Sequence, residues 1–171
     1  NPVVDIAMPD PTVIKAADGY FYMYATESTR NVPIMKSKDL VQWTYCNTAF
    51  TNKTRPRFEP KAGIWAPDIN YINNKYVLYY AMSVWGGEQT CGIGVATADS
   101  PQGPFTDHGK MFRSNEIGVQ NSIDPSFLQY EGRNYLVWGS FRGIYVIELT
   151  EDGLSLKPGA EKKRIAGTAF E

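Results

Sequence analysis

The chain has 171 residues, 17 Lys and Arg against 18 Asp and Glu, and a formal net charge of -1. The charges are interspersed without a basic block, so a nucleic-acid partner is not expected. No apolar run approaches the ~18 residues of a membrane-spanning helix, and the first residues show no signal peptide. This length suits one domain with a sizeable core, and an aromatic content of 13% favours strands and stacking surfaces.

Three segments, taken in chain order, share a short apolar strand, a polar turn and a second strand rich in tyrosine. They are residues 10–26, 66–82 and 124–140. Their turns, KAADG, INNK and YEGRN, contain the Gly, Asn and Asp residues that hairpins use for positive φ. Each segment therefore predicts a β-hairpin, with Ala25, Ala81 and Gly139 in equivalent places. The repeated tyrosines of these strands are expected to pack in the interior.

An alternating strand, a turn-rich link and another short strand follow each hairpin, which predicts about four antiparallel strands in each unit. In the third unit, the short strand is expected just after Asp152 and Gly153, within LSLKPG. No stretch sustains a 3.6-residue period, so helix content should be low. The pattern predicts an all-β chain of four-stranded β-propeller blades. The three blades are expected at about 8–60, 64–118 and 122–171, with the last incomplete.

A propeller closes with ~4 to 8 blades, whereas this chain accounts for about three. The final residues, RIAGTAFE, read as a strand that is cut off. We therefore interpret residues 1–171 as part of a propeller whose partners include the missing C-terminal blades of the same protein. Such a piece should have an open sheet edge.

Asp-Pro precedes the first strand of the first and third units, at Asp10 and Asp124. The first strand of a propeller blade lines the central channel, so both carboxylates are predicted to converge on one axial pocket. The following proline favours an extended backbone at each Asp. In the alternative interpretation, each Asp only stabilises its own turn. The second unit has Ala66 at this place, and we interpret Asp68, two residues later, as structural.

The chain resembles glycoside hydrolase family 43, the five-bladed propellers that cleave arabinan and xylan. The stretches PDPTVI, GIWAPDINYINNKYVLYYA, ATADSPQGPF, SIDPSFL and WGSFRGIYVIEL carry the resemblance. It implies a glycosidase that hydrolyses arabinose- or xylose-containing plant polysaccharides or oligosaccharides with inversion. NSIDPS and WGSFRGI favour an arabinan endo- or exo-1,5-α-L-arabinosidase.

The resemblance also implies roles for three carboxylates. Asp10 matches the general base, and Asp124 matches the residue that raises the pKa of the acid and orients it. Glu171, in GTAFE, matches the general acid.

Flat aromatic faces are expected to bind the C–H side of a pentose ring. Trp65 is the first candidate, and Trp85 and Phe141 are further ones, although each could instead pack in the core. Asn121 and Ser122 precede Ile123-Asp124 and could donate hydrogen bonds to sugar hydroxyls or to Asp124.

No cofactor is expected, and the residues predict no metal site, although the resemblance allows a calcium ion in the channel of a complete propeller. The resemblance also implies a secreted or periplasmic protein. The lone His108 is expected in a solvated loop. Cys46 and Cys91 are expected to be unpaired thiols.

Two other functions remain open at this point. Related propellers cleave fructan and sucrose with retention, but they carry Asn-Asp-Pro, Arg-Asp-Pro and Glu-Cys. Here Pro9 precedes Asp10, Ile123 precedes Asp124, and no Cys follows Glu171. The other alternative is a non-catalytic carbohydrate-binding propeller.

Overall fold

The computed structural model describes residues 3–167, and nearly all of its regular structure is β-strand. Its strands are β1 (Thr12–Lys15), β2 (Phe21–Tyr24), β3 (Pro33–Ser37), β4 (Thr44–Thr48), β5 (Gly63–Ile72), β6 (Lys75–Ser83), β7 (Gly92–Ala98), β8 (Thr106–Arg113), β9 (Ser126–Tyr130), β10 (Arg133–Ser140), β11 (Gly143–Glu148) and β12 (Lys163–Ala166). In this part of the chain, the only α-helix is the single turn α1 (Ser114–Ile117). The predicted all-β chain with little helix is confirmed.

The strands form three four-stranded sheets in which each strand pairs antiparallel with the next one in the chain. We call them blade one (β1–β4), blade two (β5–β8) and blade three (β9–β12). Their first strands lie side by side, with β5 between β1 and β9. The last strand of blade three was predicted wrongly within LSLKPG. There only an isolated bridge joins Leu149 to Leu156, and β12 follows instead.

The second and third hairpin turns each have two consecutive residues with positive φ, whereas in the first turn only Gly19 has one, at 83°. Asn73 and Asn74 have φ values of 48° and 62°, and Glu131 and Gly132 have φ values of 49° and 73°. Two consecutive residues with positive φ match the right-handed twist of the flanking strands. The turn chemistry therefore sets the strand register in the hairpins of blades two and three.

The interior lies between the blades, and alternate residues of β6 face its two halves. Tyr80 and Met82 belong to the core shared with blade one, whereas Tyr79 and Ala81 belong to the core shared with blade three. Because successive strand residues point to opposite faces, β6 is buried on both sides and is apolar or aromatic at nearly every position. The interior role predicted for the tyrosines holds for Tyr22, Tyr24, Tyr79 and Tyr80, which are all at most 1% exposed.

Three smaller features complete the fold. Cys46 and Cys91 are free thiols, as expected. His108 is exposed, but it lies in β8 rather than in a loop, with its Nε2 2.8 Å from the Thr97 hydroxyl. Within residues 3–167, no helix has the length and apolar character needed to cross a membrane.

Candidate functional site

The same β-bulge, in which two residues face one residue of the next strand, interrupts β5 in blade two and directly precedes the first strand of blades one and three. The bulged pairs are Asp10-Pro11, Ala66-Pro67 and Asp124-Pro125. In blade two, the pairing passes directly from Trp65–Ala81 to Asp68–Tyr79. In blade one, the Thr26 amide bonds the Pro9 carbonyl at 3.0 Å, and in blade three the Gly139 amide bonds the Ile123 carbonyl at 2.9 Å. The repeated Asp-Pro step, with its Ala-Pro counterpart in blade two, is therefore the same bulge in each blade.

The bulge bends the backbone in a way that the proline rule did not predict. Asp10, Ala66 and Asp124 have φ values of 49°, 39° and 55°, so the expected extended conformation is wrong. A bulge of this kind takes its first residue in the left-handed region and leaves the extra residue out of the strand ladder. Proline suits the second position because it has no N–H to pair. Thr26, not Ala25, is the equivalent of Ala81 and Gly139, because the first hairpin has one more residue between its equivalent pairs than the other two have.

A hydrogen-bonded threonine holds Asp10. The Thr26 hydroxyl donates to Asp10 Oδ2 at 2.7 Å and accepts from the Ala66 amide at 2.7 Å. Asp10 keeps an exposed carboxylate, while its position is tied to the bulge of blade two. Sequence reasoning missed Thr26, because the pairing joins residues 40 apart in the chain.

Asp124 is electrostatically coupled to Asp10. Partial burial, and then the negative charge of Asp10, raise the pKa of the Asp124 carboxyl. Asp124 retains exposed surface, yet the surrounding protein removes enough water to disfavour its charged form. The two carboxylates thus come from different blades and are close enough to sense each other's charge.

Asp68 is engaged in holding the blades together. Its Oδ2 accepts from the Phe127 amide at 2.7 Å and from the Asn70 side chain at 2.8 Å, and it also has a hydrogen bond with the Thr12 side chain. Burial raises the pKa of Asp68, and these hydrogen bonds oppose that rise. Asp68 therefore joins the first strands of all three blades, which agrees with the structural role inferred for it.

Five of the residues expected at the site line one cleft of about 460 Å³. They are Trp65, Trp85, Asn121, Asp124 and Phe141. The rings of Trp65 and Trp85 lie 5.5 Å apart and are tilted by 51°. Trp85 is 94% exposed and Phe141 is 56% exposed, so neither ring is taken up by core packing. We call this space the aromatic cleft, since it combines apolar ring faces from two blades with a carboxylate.

Asn121 and Ser122 lie in different environments although they are adjacent. The Asn121 side-chain amide donates to the Ser140 hydroxyl at 2.9 Å at the lining of the aromatic cleft. Ser122 is 0% exposed, donates to the Val119 carbonyl at 2.8 Å and accepts from the Trp138 indole at 3.1 Å. Assigning Ser122 to direct sugar contact is therefore wrong, because its hydroxyl is buried and already paired. It supports the backbone that leads to Asp124.

A polar network joins the blade-two and blade-three walls of the aromatic cleft. Glu88 accepts from the Gln120 side chain at 2.6 Å and from the Arg142 guanidinium at 3.2 Å. The Arg142 guanidinium lies over the Phe141 ring at 5.0 Å from its centroid. Glu88 and Arg142 were not predicted from the sequence, since nothing in the local pattern pairs side chains 54 residues apart.

The expected general acid, Glu171, lies outside the described residues. In residues 3–167, no three His, Cys, Asp or Glu side chains are grouped so that they could hold a metal ion.

Comparisons with known proteins give one consistent family. The family model described as "Glycosyl hydrolases family 43" matches residues 1–171. The "Extracellular endo-alpha-(1->5)-L-arabinanase 1" of Bacillus subtilis is 36% identical over 166 residues, covering 92% of this chain and 50% of the relative. The "Arabinan endo-1,5-alpha-L-arabinosidase C" of Emericella nidulans is 33% identical over 156 residues, covering 89% of this chain and 48% of the relative.

A solved structure agrees with these relatives. The "Cellvibrio cellulosa alpha-L-arabinanase complexed with Arabinohexaose" has a TM-score of 0.82 and 28% identity, and the match covers 95% of this chain and 54% of that one. The chain thus spans about half the length of the relatives that it matches. The three sheets are blades of a propeller fold.

Proposed function

Because the chain belongs to glycosyl hydrolases family 43, we propose that its activity is the hydrolysis of α-1,5-linked arabinan, with inversion at the anomeric carbon. The observation that carries this proposal is that Asp124 lines the aromatic cleft of blades two and three and senses the charge of Asp10 from blade one. The names of the Bacillus and Emericella relatives favour arabinan over xylan. The word "extracellular" in the Bacillus name supports a secreted protein.

In the proposed mechanism, Asp10 acts as the general base. Its carboxylate removes a proton from a water molecule that attacks the anomeric carbon, while Glu171 protonates the leaving glycosidic oxygen from the other face. Inversion needs the base and the acid to be ~6.5 to 9.5 Å apart, so that the water fits between them. Thr26 supports this role, because its hydroxyl keeps Asp10 Oδ2 in place and leaves Oδ1 available for the water.

Asp124 is proposed to keep the acid protonated. A negatively charged neighbour disfavours a second ionisation nearby and so raises the pKa of its partner. In the proposed mechanism Asp10 is ionised and Glu171 is protonated, and general acid–base catalysis requires such a pair. Trp65, Trp85 and Phe141 are proposed to stack on the C–H faces of arabinose rings, with Asn121 donating to hydroxyl groups.

The stereochemistry of the first product tests the proposal. The full-length protein is incubated with linear α-1,5-arabinan, and proton NMR follows the anomer released before mutarotation. We expect the inverted anomer, with xylan cleaved far more slowly. Release of the retained anomer would instead make Asp10 a nucleophile, as in the fructan-cleaving propellers, whose two carboxyl groups lie ~5 to 5.5 Å apart. Binding of arabinan without cleavage would leave a carbohydrate-binding propeller.

A further inference from the structure

A second cleft, of about 520 Å³, opens beside blades one and two and has no role in the proposed hydrolysis. Its charged lining consists of Arg30, Arg55, Arg57, Glu59 and Lys61, and we call it the basic cleft. It lies at the same end of blade two as the aromatic cleft, because Met82 lines the basic cleft and Ser83, the next residue of β6, lines the aromatic cleft. Thr26, which holds Asp10, directly precedes Glu27, and the Glu27 carboxylate anchors Arg55 at 2.8 Å.

The two acidic groups at the basic cleft are already neutralised. Glu27 is paired with Arg55, and Glu59 is paired with Arg113. Within the described part of the chain, no carboxylate forms a salt bridge with Arg30, Arg57 or Lys61. Three uncompensated positive charges therefore line one cleft of a chain whose net charge is -1, and they favour an anionic ligand.

The guanidinium groups of the basic cleft are held in place before any ligand arrives. The Asn52 side-chain oxygen accepts from Arg30 Nε at 3.0 Å, and the Asn52 carbonyl accepts from Arg57 at 2.8 Å. Arg55, which is 8% exposed, also donates to the Asn31 side chain at 2.8 Å. The exposed guanidiniums of Arg30 and Arg57 each keep further N–H donors. Such a fixed fork of donors suits a planar carboxylate.

We propose that the basic cleft binds the carboxylates of acidic sugar residues, so that a uronate-bearing part of the polysaccharide docks beside the neutral part that enters the aromatic cleft. Pro56, Pro60, Ala62 and Met82 complete the lining, and among them the exposed Pro60 offers apolar surface to the C–H face of a sugar ring. This inference rests on the proposed function, because a polysaccharide bound in the aromatic cleft would reach the basic cleft at the same end of blade two. Lys61 supplies a point charge, while Arg30 and Arg57 supply directed donors.

Calorimetric titration of the full-length protein with tri-galacturonic acid tests the proposal. We expect salt-dependent binding, weakened about tenfold or more in the double variant Arg57→Gln/Lys61→Gln, which removes two charge-assisted contacts. Lys53→Gln is the matched control, since Lys53 is exposed in the same segment but does not line the cleft. It should bind as the wild type does.

Two further titrations separate the outcomes. Arabinotriose should bind equally to the wild type and to the double variant, which also shows that the variant is folded. Lack of tri-galacturonate binding, with arabinotriose binding intact, would overturn this inference alone. If the wild type did not bind arabinotriose, that result would count against the proposed function instead. Equal displacement of tri-galacturonate by inorganic sulfate at the same concentration would indicate a general anion site and would also overturn it.

Discussion

The bulge of blade two differs from those of blades one and three in the side chain that it presents. All three place their first residue at positive φ, but blade two presents the methyl group of Ala66, whereas the other two present carboxylates. Blade two instead has its carboxylate two residues later, at Asp68, where three hydrogen-bond partners from three blades engage it. The same bulge therefore occurs in all three blades, and the proposed catalytic role of blades one and three depends on the side chain that each bulge presents.

Asp68 and Asp124 also differ in how far hydrogen-bond donors compensate their partly buried carboxylates. Asp68 is partly compensated by donors, whose hydrogen bonds oppose the rise in pKa that burial causes. Asp124 has no such compensation among the causes that shift its pKa, and the charge of Asp10 opposes its ionisation further. A carboxyl group whose pKa is raised by burial and by a neighbouring charge is typical of a functional site. The following predictions test this difference, starting with the largest expected effect.

Asp10→Asn should lower kcat for arabinan hydrolysis by about 10²- to 10⁴-fold, the usual contribution of a general base. The amide keeps the shape of the side chain but cannot accept the proton. Arabinotriose affinity, measured by calorimetry, should change little, because the aromatic rings are untouched. Asp5→Asn, at another exposed aspartate of the same N-terminal segment, is the matched control. Unchanged hydrolysis in Asp10→Asn would leave the bulge of blade one no more than a turn.

Asp68→Ala should lower the free energy of unfolding by about 1 to 3 kcal/mol, since it leaves the Phe127 amide without its acceptor. Urea denaturation measures this loss. Asp68→Asn is the informative partner variant, because its side-chain oxygen can still accept from Phe127, and it should lose clearly less stability. If both variants were as stable as the wild type but inactive, Asp68 would belong with the catalytic carboxylates instead.

Much of this contrast could be predicted from the sequence, because it depends on local patterns. Alternation along the strands and the Asn73-Asn74 turn indicate the blades, and the repeated Asp-Pro step indicates where two carboxylates lie. The positive φ of Asp10 and Asp124 could not be predicted, since the preference of a residue before proline is local and the bulge arises from pairing with the next strand. Ser122 was misassigned for a similar reason, because its burial depends on Trp138 in another strand.

Thr26 sharpens the comparison, because it connects the bulges of blades one and two. Thr26→Val removes the hydroxyl that donates to Asp10 and accepts from Ala66. We expect kcat to fall about tenfold, the effect of one lost hydrogen bond to a charged group, with KM unchanged. Thr26→Ser keeps the hydroxyl and should restore kcat. A fall of the same size in both variants would point to lost packing of the methyl group rather than to positioning of Asp10.

The smallest expected effect concerns stability and has the opposite sign to the effect on catalysis. The pKa of Asp124 is raised in the folded protein, so the folded state holds this proton more tightly than the unfolded chain does. The resulting stabilisation is present below the ordinary Asp pKa of about 3.9 and is lost as the pH rises through the folded-state value. Asp124→Asn does not titrate, so it should gain stability relative to the wild type between pH 4 and pH 7 while hydrolysis falls. The gain should be small, because Asp124 retains solvent contact.

Urea denaturation at these two pH values measures the difference, and a second background identifies its cause. With Asp10→Asn present, the charge that opposes ionisation of Asp124 is gone, so the pH-dependent gain from Asp124→Asn should shrink. It should not vanish, since burial is the larger cause of the raised pKa. A gain that is the same in both backgrounds would mean that the bulges of blades one and three do not act on each other, and the two carboxylates would no longer form one site.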